Sequence, residues 1–151
     1  MKRCFIDTNV FLYLKDPHEP EKAAICAAWL KAAQESGEVL VSPQVIGETF
    51  TNLLKAARDP ESRTFAEEFA QTLMAWCEAK LDKAVVANAF EIRRRYLIPW
   101  WDALLIASAQ GAGADMLLTE DLNDGQHYGS VQAINPFRHA PEDVLGRASR
   151  N

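Results

Sequence analysis

An α/β fold, built on a parallel sheet with helices on both faces, is what this sequence predicts. Short apolar runs of strand length recur along it: Cys4-Phe5-Ile6, Val39-Leu40-Val41, Met116-Leu117-Leu118 and Val131 to Ile134. Between them lie longer stretches whose apolar residues fall three and four apart, the spacing of one helix face. Strands that alternate with helices are joined by crossovers, and crossovers make parallel sheets.

The elements follow in order. Arg3 to Asp7 reads as the first strand, and Val10 to Leu14 as a turn or short helix. Asp16-Pro17-His18-Glu19-Pro20 is a loop, because two prolines and their predecessors resist helix. Glu21 to Glu35 is helical, with Ile25, Trp29 and Ala33 on one face and Gly37 as a stop. Val39 to Val41 is the second strand. Ser42-Pro43 then starts a helix that runs to about Arg58, with Ile46, Phe50, Leu53, Leu54 and Ala57 on its stripe. Asp59-Pro60-Glu61 opens the next helix, carrying Phe65, Phe69, Leu73 and Trp76. A short strand is expected at Glu78 to Leu81, then a helix from Lys83 to Tyr96, broken by Pro99. Trp100 to Gln110 is apolar on nearly every side, so it should be a buried helix. Ala114 to Leu118 and Val131 to Ile134 complete five strands. His139 to Asn151 is polar and is expected to be loose, which divides the chain into a domain over residues 1–137 and a tail over 138–151.

At 151 residues the chain can bury about two-thirds of its unfolded surface, so it needs no disulfide or structural metal to fold. Hydrophobic content of 48% and charge of 25% are ordinary for a soluble globular domain. No apolar run approaches the ~20 residues of a membrane helix, and no signal peptide can be read before the first strand. Cys4, Cys26 and Cys77 are odd in number, far apart and set in apolar stretches, as core residues in a reducing compartment would be. A cytoplasmic protein with no membrane partner is expected. The net charge of −5 argues at first against nucleic acid. Leaving out Asp7, Glu48, Asp102 and Asp121 brings it to −1, so bulk charge neither supports nor excludes RNA.

Those four carboxylates sit where a strand gives way to a loop or on an early helical turn. In open α/β sheets, ligands bind where strands enter loops. Acids gathered there repel unless a hard cation neutralises them, and oxygen-only ligands select Mg²⁺ or Mn²⁺ over zinc or copper. Such a set suits an enzyme working on phosphate. Each acid also has a plainer reading. Asp102 lies among Trp100, Trp101, Ala103 and Leu104, where an unpaired charge is costly; equally, it is a first-turn acid favouring the helix dipole. Asp7 could simply close an Asx turn. Glu48 falls opposite its helix's apolar stripe, the place of a solvated carboxylate. Asp121 belongs to Thr119-Glu120-Asp121-Leu122-Asn123-Asp124-Gly125, a polar turn that does not satisfy the calcium-loop pattern. Thr119 and Asp124 are candidate supporting residues there.

Other chemistry has little support. Neither a nucleophile elbow nor a phosphate-binding P-loop is present. His18, His127 and His139 fall in expected loops without ligand spacing. With no protein base or nucleophile in view, a metal would have to activate water itself. Arg93-Arg94-Arg95 is the one dense basic run, either a solvated helix face or a track for RNA phosphates.

Asp7-Thr8-Asn9-Val10, Ser42 through Glu48, Trp101-Asp102-Ala103-Leu104, Thr119-Glu120-Asp121-Leu122 and Ile134-Asn135-Pro136-Phe137 follow one another as in a PIN domain. Over about residues 3 to 137 the chain resembles a VapC-type toxin ribonuclease. The resemblance implies a three-layer α/β/α fold with a five-stranded parallel sheet. It implies an Mg²⁺- or Mn²⁺-dependent endoribonuclease whose metal-binding acids are Asp7, Glu48, Asp102 and Asp121. Asp7 and Asp102 would be direct ligands, Glu48 and Asp121 direct or through water, with Asn9 and Thr119 orienting them. It further implies a cognate antitoxin protein and a homodimer. Two rivals stand beside it. A haloacid-dehalogenase-like phosphatase would use Asp7 as nucleophile, but that family wants a second Asp where this chain has Asn9. A catalytically inactive PIN fold would only bind RNA or protein, and the full set of acids argues against it.

Overall fold

The computed structural model describes residues 1–146. Strand β1 (Lys2–Ile6) ends at Asp7, whose carboxylate accepts the Thr8 N–H at 2.7 Å and caps helix α1 (Thr8–Leu14). Helix α2 (Pro20–Ser36) starts on a proline, at a position where no N–H is needed. It buries Cys26, Trp29 and Ala33, whereas Ile25, expected on the inner face, stays 38% exposed. Gly37 ends α2 and opens strand β2 (Gly37–Leu40) directly. Paired with Lys2, it has no room for a side chain: a Cβ would run into the Lys2 carbonyl oxygen.

Ser42, Asp59 and Asp82 each place a side-chain oxygen on a first-turn N–H. They start α3 (Pro43–Ala56), α4 (Pro60–Thr72) and α5 (Lys83–Tyr96). A 3-10 turn, Leu73–Trp76, extends α4, and Leu97 closes α5 in the left-handed region at φ 55°. Helix α6 (Trp100–Gly111) buries every residue from Ala103 to Ala109, as its all-round apolar sequence predicts. Strands β3 (Met116–Leu118), β4 (His127–Tyr128) and β5 (Val131–Ile134) follow, then the short helix α7 (Pro141–Leu145).

The sheet has five strands in the order β2-β1-β3-β5-β4 and is mostly parallel; only β4 runs antiparallel, against β5. Two expectations are corrected here. Glu78 to Leu81 is not a strand. A single parallel bridge, Val41 to Cys77, is all that forms beside it, since only Ala79 is buried and Leu81 stays 51% exposed. The fifth strand is β4, which puts His127 in the sheet rather than in a loop. Two residues are too few to show a period, so β4 is set by the tight return through Gly129 (φ 62°) and its pairing with β5.

The C-terminal segment is also firmer than its polarity suggests. The Trp29 indole N–H donates to the carbonyls of Pro136 (2.9 Å) and His139 (3.1 Å). Pro141 is buried, and α7 packs on α2. Residues 147–151 of the expected loose tail lie outside the described residues.

The chain moves outward from β1 to β2, then back across to β3. Right-handed crossovers in opposite directions put the connecting helices on opposite faces, with α2 against β1 and β2 and α6 against β3 and β5. The reversal falls between β1 and β3, and in such sheets the crevice that takes a ligand lies at the carboxyl ends of those strands. Cys4 and Cys26 are free and buried, and burial pushes each thiol up to about 12. No described helix is long and apolar enough to cross a membrane.

Candidate functional site

Register sets the first contact. Ile6 lies opposite Leu118, so the next residues, Asp7 and Thr119, leave the sheet side by side. The Thr119 hydroxyl donates to Asp7 Oδ2 at 2.8 Å and accepts the Asp121 N–H at 3.1 Å, so it orients both acids. Asn9, on the first turn of α1, donates its amide to Asp121 Oδ2 at 3.0 Å and, more weakly, to Asp7 Oδ2 at 3.4 Å.

Glu48 enters from the other side. Helix α3 buries Val45 and Thr49, so its inner face is turned from the stripe expected at Ile46, Phe50 and Leu53. Glu48 thus lies at the border of the buried face rather than opposite it. There the Thr8 hydroxyl donates to its Oε2 at 3.0 Å, and the Gln44 amide donates to its Oε1 at 3.0 Å. Gln44 was not singled out from sequence, although four residues before Glu48 it stands one turn away on the same helix.

Charge ties in the fourth acid. Asp7 is only 7% exposed, and burial raises its pKa from 3.8 to about 6. The hydrogen bonds from Thr119 and Thr8 oppose that rise; the charges of Asp121 and Glu48 add to it. Half-buried Asp102 is raised too, first by burial and then by Asp121 and Glu48. Acids from β1, α3, α6 and the loop after β3 therefore converge on one crevice.

Two other sequence candidates stand apart. Asp124 accepts the Asn135 N–H at 2.9 Å and lies 2.7 Å from His139 Nε2, clamping the loop after β3 to the C-terminal segment. Arg93, Arg94 and Arg95 are exposed in the last turn of α5, where positive charge favours the helix dipole.

Among the described residues, no three of Asp, Glu, His and Cys are grouped tightly enough to hold an ion as they stand. Hydroxyl and amide donors already satisfy several of the acid oxygens. Even so, the donor set suits a hard cation, because every group reaching the crevice is an oxygen ligand or its hydrogen-bonding partner. A second observation agrees: Asn9 Oδ1 is buried beside Asp7 and Asp121 with no hydrogen-bond partner. A cation or its hydration shell would satisfy that acceptor.

Thr119→Val should remove the strongest interaction holding Asp7 in its charged form. The Asp7 midpoint should move further above about 6, by roughly one unit, the worth of one hydrogen bond to a charged group. A carboxyl NMR titration reads this directly, and an unmoved midpoint would mean that the hydroxyl does not set the acid's charge.

Comparisons with known proteins bear on the fold. The sequence model of the family described as "PIN domain" matches residues 4–124. No curated protein matches the sequence at a significant level. Among solved structures, the chain is similar to FitAcB from Neisseria gonorrhoeae, with TM-score 0.64 and 19% identity, over 90% of this chain and 99% of that one. It is similar to a toxin–antitoxin complex from Klebsiella pneumoniae, with TM-score 0.61 and 18% identity, over 88% and 97%. It is also similar to VapC20 from Mycobacterium tuberculosis, described as a sarcin–ricin loop cleaving toxin, with TM-score 0.54 and 20% identity, over 76% and 86%. At these identities the likeness is one of fold.

Proposed function

This chain belongs to the PIN-domain family, and from that premise we propose that it is an Mg²⁺- or Mn²⁺-dependent endoribonuclease, the cytoplasmic toxin of a toxin–antitoxin pair. The observation that carries the reading is the convergence of Asp7, Glu48, Asp102 and Asp121 where the sheet reverses, with the innermost acid raised toward neutrality. Structural neighbours described as a toxin–antitoxin complex and as a loop-cleaving toxin support the substrate class and the antitoxin partner. A homodimer is proposed on the family resemblance.

Asp7 and Asp102 would hold the ion directly, with Glu48 and Asp121 completing its surroundings. When bound, the ion supplies Lewis acidity and a water acidic enough to attack phosphorus near neutral pH. The protein's own part is orientation. Thr8 and Gln44 fix the two oxygens of Glu48, and Thr119 and Asn9 fix Asp7 against Asp121. Such outer partners typically matter by 10- to 100-fold in metal affinity or activity.

The test is incubation of the protein with looped and single-stranded RNA in Mn²⁺. Discrete internal fragments are expected. RNA that is bound but left intact would favour the inactive binding module instead. Arg93, Arg94 and Arg95 are proposed phosphate contacts. Changing all three to Ala should flatten the salt dependence of RNA binding, the slope falling by about 0.7 for each lost contact to a single strand. An unchanged slope would leave the run as a solvated helix end.

A further inference from the structure

The first turn of α6 carries two neighbours of unlike kind, Asp102 at the acid site and the aromatic Trp101. The rest of that helix is buried from Ala103 to Ala109, and Trp100 packs on Phe90 at 4.6 Å between ring centroids. Trp101 alone is left 63% exposed. A large aromatic in water forfeits the burial that makes it useful to a fold, so the fold does not explain this residue.

Its surroundings do. Trp101 forms one wall of a groove of about 500 Å³, whose other walls are Pro43, Gln44, Gly47, Glu48 and Thr51 of α3. Glu48 lines this groove and belongs to the acid site, so the two lie side by side. Gly47 lies inside α3 with an ordinary helical backbone and no positive φ. A Cβ there would meet nothing within 4 Å. Neither conformation nor crowding requires glycine, which weakens a helix relative to alanine. The bare backbone keeps the groove open.

A flat aromatic wall and an open floor match the face of a nucleobase. They do not match a phosphate, which Glu48 would repel. In a duplex both faces of a base are covered by its stacked neighbours, so only an unpaired base can lie on an indole. We propose that this groove binds one unpaired base of the RNA substrate beside the phosphate being cut, stacked on Trp101. This inference rests on the ribonuclease reading above.

The test compares wild type, Trp101→Ala, Trp101→Phe and Gly47→Leu, each loaded with Mn²⁺, on one hairpin RNA and on a matching fully paired duplex. Trp101→Ala should raise KM on the hairpin about tenfold, with a smaller change in kcat, and Trp101→Phe should recover most of the loss. Gly47→Leu, which fills the groove from α3 and leaves the Trp101 side chain in place, should raise KM similarly. An abasic nucleotide next to the cut should erase the difference between wild type and Trp101→Ala. Wild-type KM in Trp101→Ala, or equal cutting of duplex and hairpin, overturns this inference while leaving the ribonuclease reading intact. Loss of a dimer in Trp101→Ala by light scattering also overturns it, by assigning the indole to a protein contact. Wild-type protein that cuts no RNA overturns both.

Discussion

Asp7→Asn is expected to reduce RNA cleavage by more than about 100-fold, a loss at least as large as those caused by disturbing the outer partners of a metal ligand. In metal-free buffer at pH 7.5 the same variant is expected to melt at a higher temperature than wild type. Asp7 is nearly buried, with its pKa raised from 3.8 to about 6, so the folded protein holds this proton more tightly than the unfolded chain. Below the unfolded pKa, the carboxyl is protonated in both states and costs nothing. As pH rises through 3.8 toward about 6, the unfolded chain ionises first and stability falls. Above that window the full penalty applies, about 3 kcal/mol for a shift of roughly two units. Asn is neutral at every pH and keeps an acceptor for the Thr8 N–H, so it should escape the penalty. Its amide must also face the Asn9 amide, which returns part of the gain and leaves about 1–2 kcal/mol. Melting curves between pH 4 and 8 should therefore converge at the acid end and separate near neutrality. Parallel curves, or a variant that cuts at the wild-type rate, would remove Asp7 from the centre of the site.

Legibility followed the length of each signal. β1, β3 and β5 could be read because their apolar runs are bounded by polar residues, and α6 because its sequence has no polar side to show water. Asp7 and Asp102 stood out for the same reason, each being a charge against an apolar background. Glu48 did not, because the hydrophobic wheel of α3 points to Phe50, whereas the residues α3 buries are Val45 and Thr49. A polar Thr on the buried face misleads any reading based on apolar residues alone. Strand β4 is too short to show an alternation, and the anchoring of residues 136–146 depends on a distant partner, the Trp29 indole, that no local pattern displays. Gln44 and Trp101 were hidden differently. One has an ordinary helix-surface identity, and the other passes for a core aromatic until its exposure is known.

Mn²⁺ or Mg²⁺ is expected to raise the melting temperature, and EDTA to remove both that gain and RNA cleavage. An ion that binds the folded acids but not the dispersed unfolded ones stabilises by mass action, by about 2.7 kcal/mol at a hundredfold excess over Kd. For a domain of this size that is roughly 5–10 °C. The effect should be larger at pH 7.5 than at pH 5. With its pKa at about 6, Asp7 is mostly protonated at pH 5, and a cation must displace that proton before it can bind. At pH 7.5 Asp7 is ionised, so the cation gains its attraction and relieves the penalty its burial places on folding. Calcium should give thermal stabilisation with little turnover, because its larger and looser coordination shell holds water less firmly in line. A shift that is equal at both pH values would mean that the ion binds elsewhere on this acidic surface. Cleavage that survives EDTA, in a preparation whose Asp7→Asn variant also cuts, would falsify the metal reading altogether.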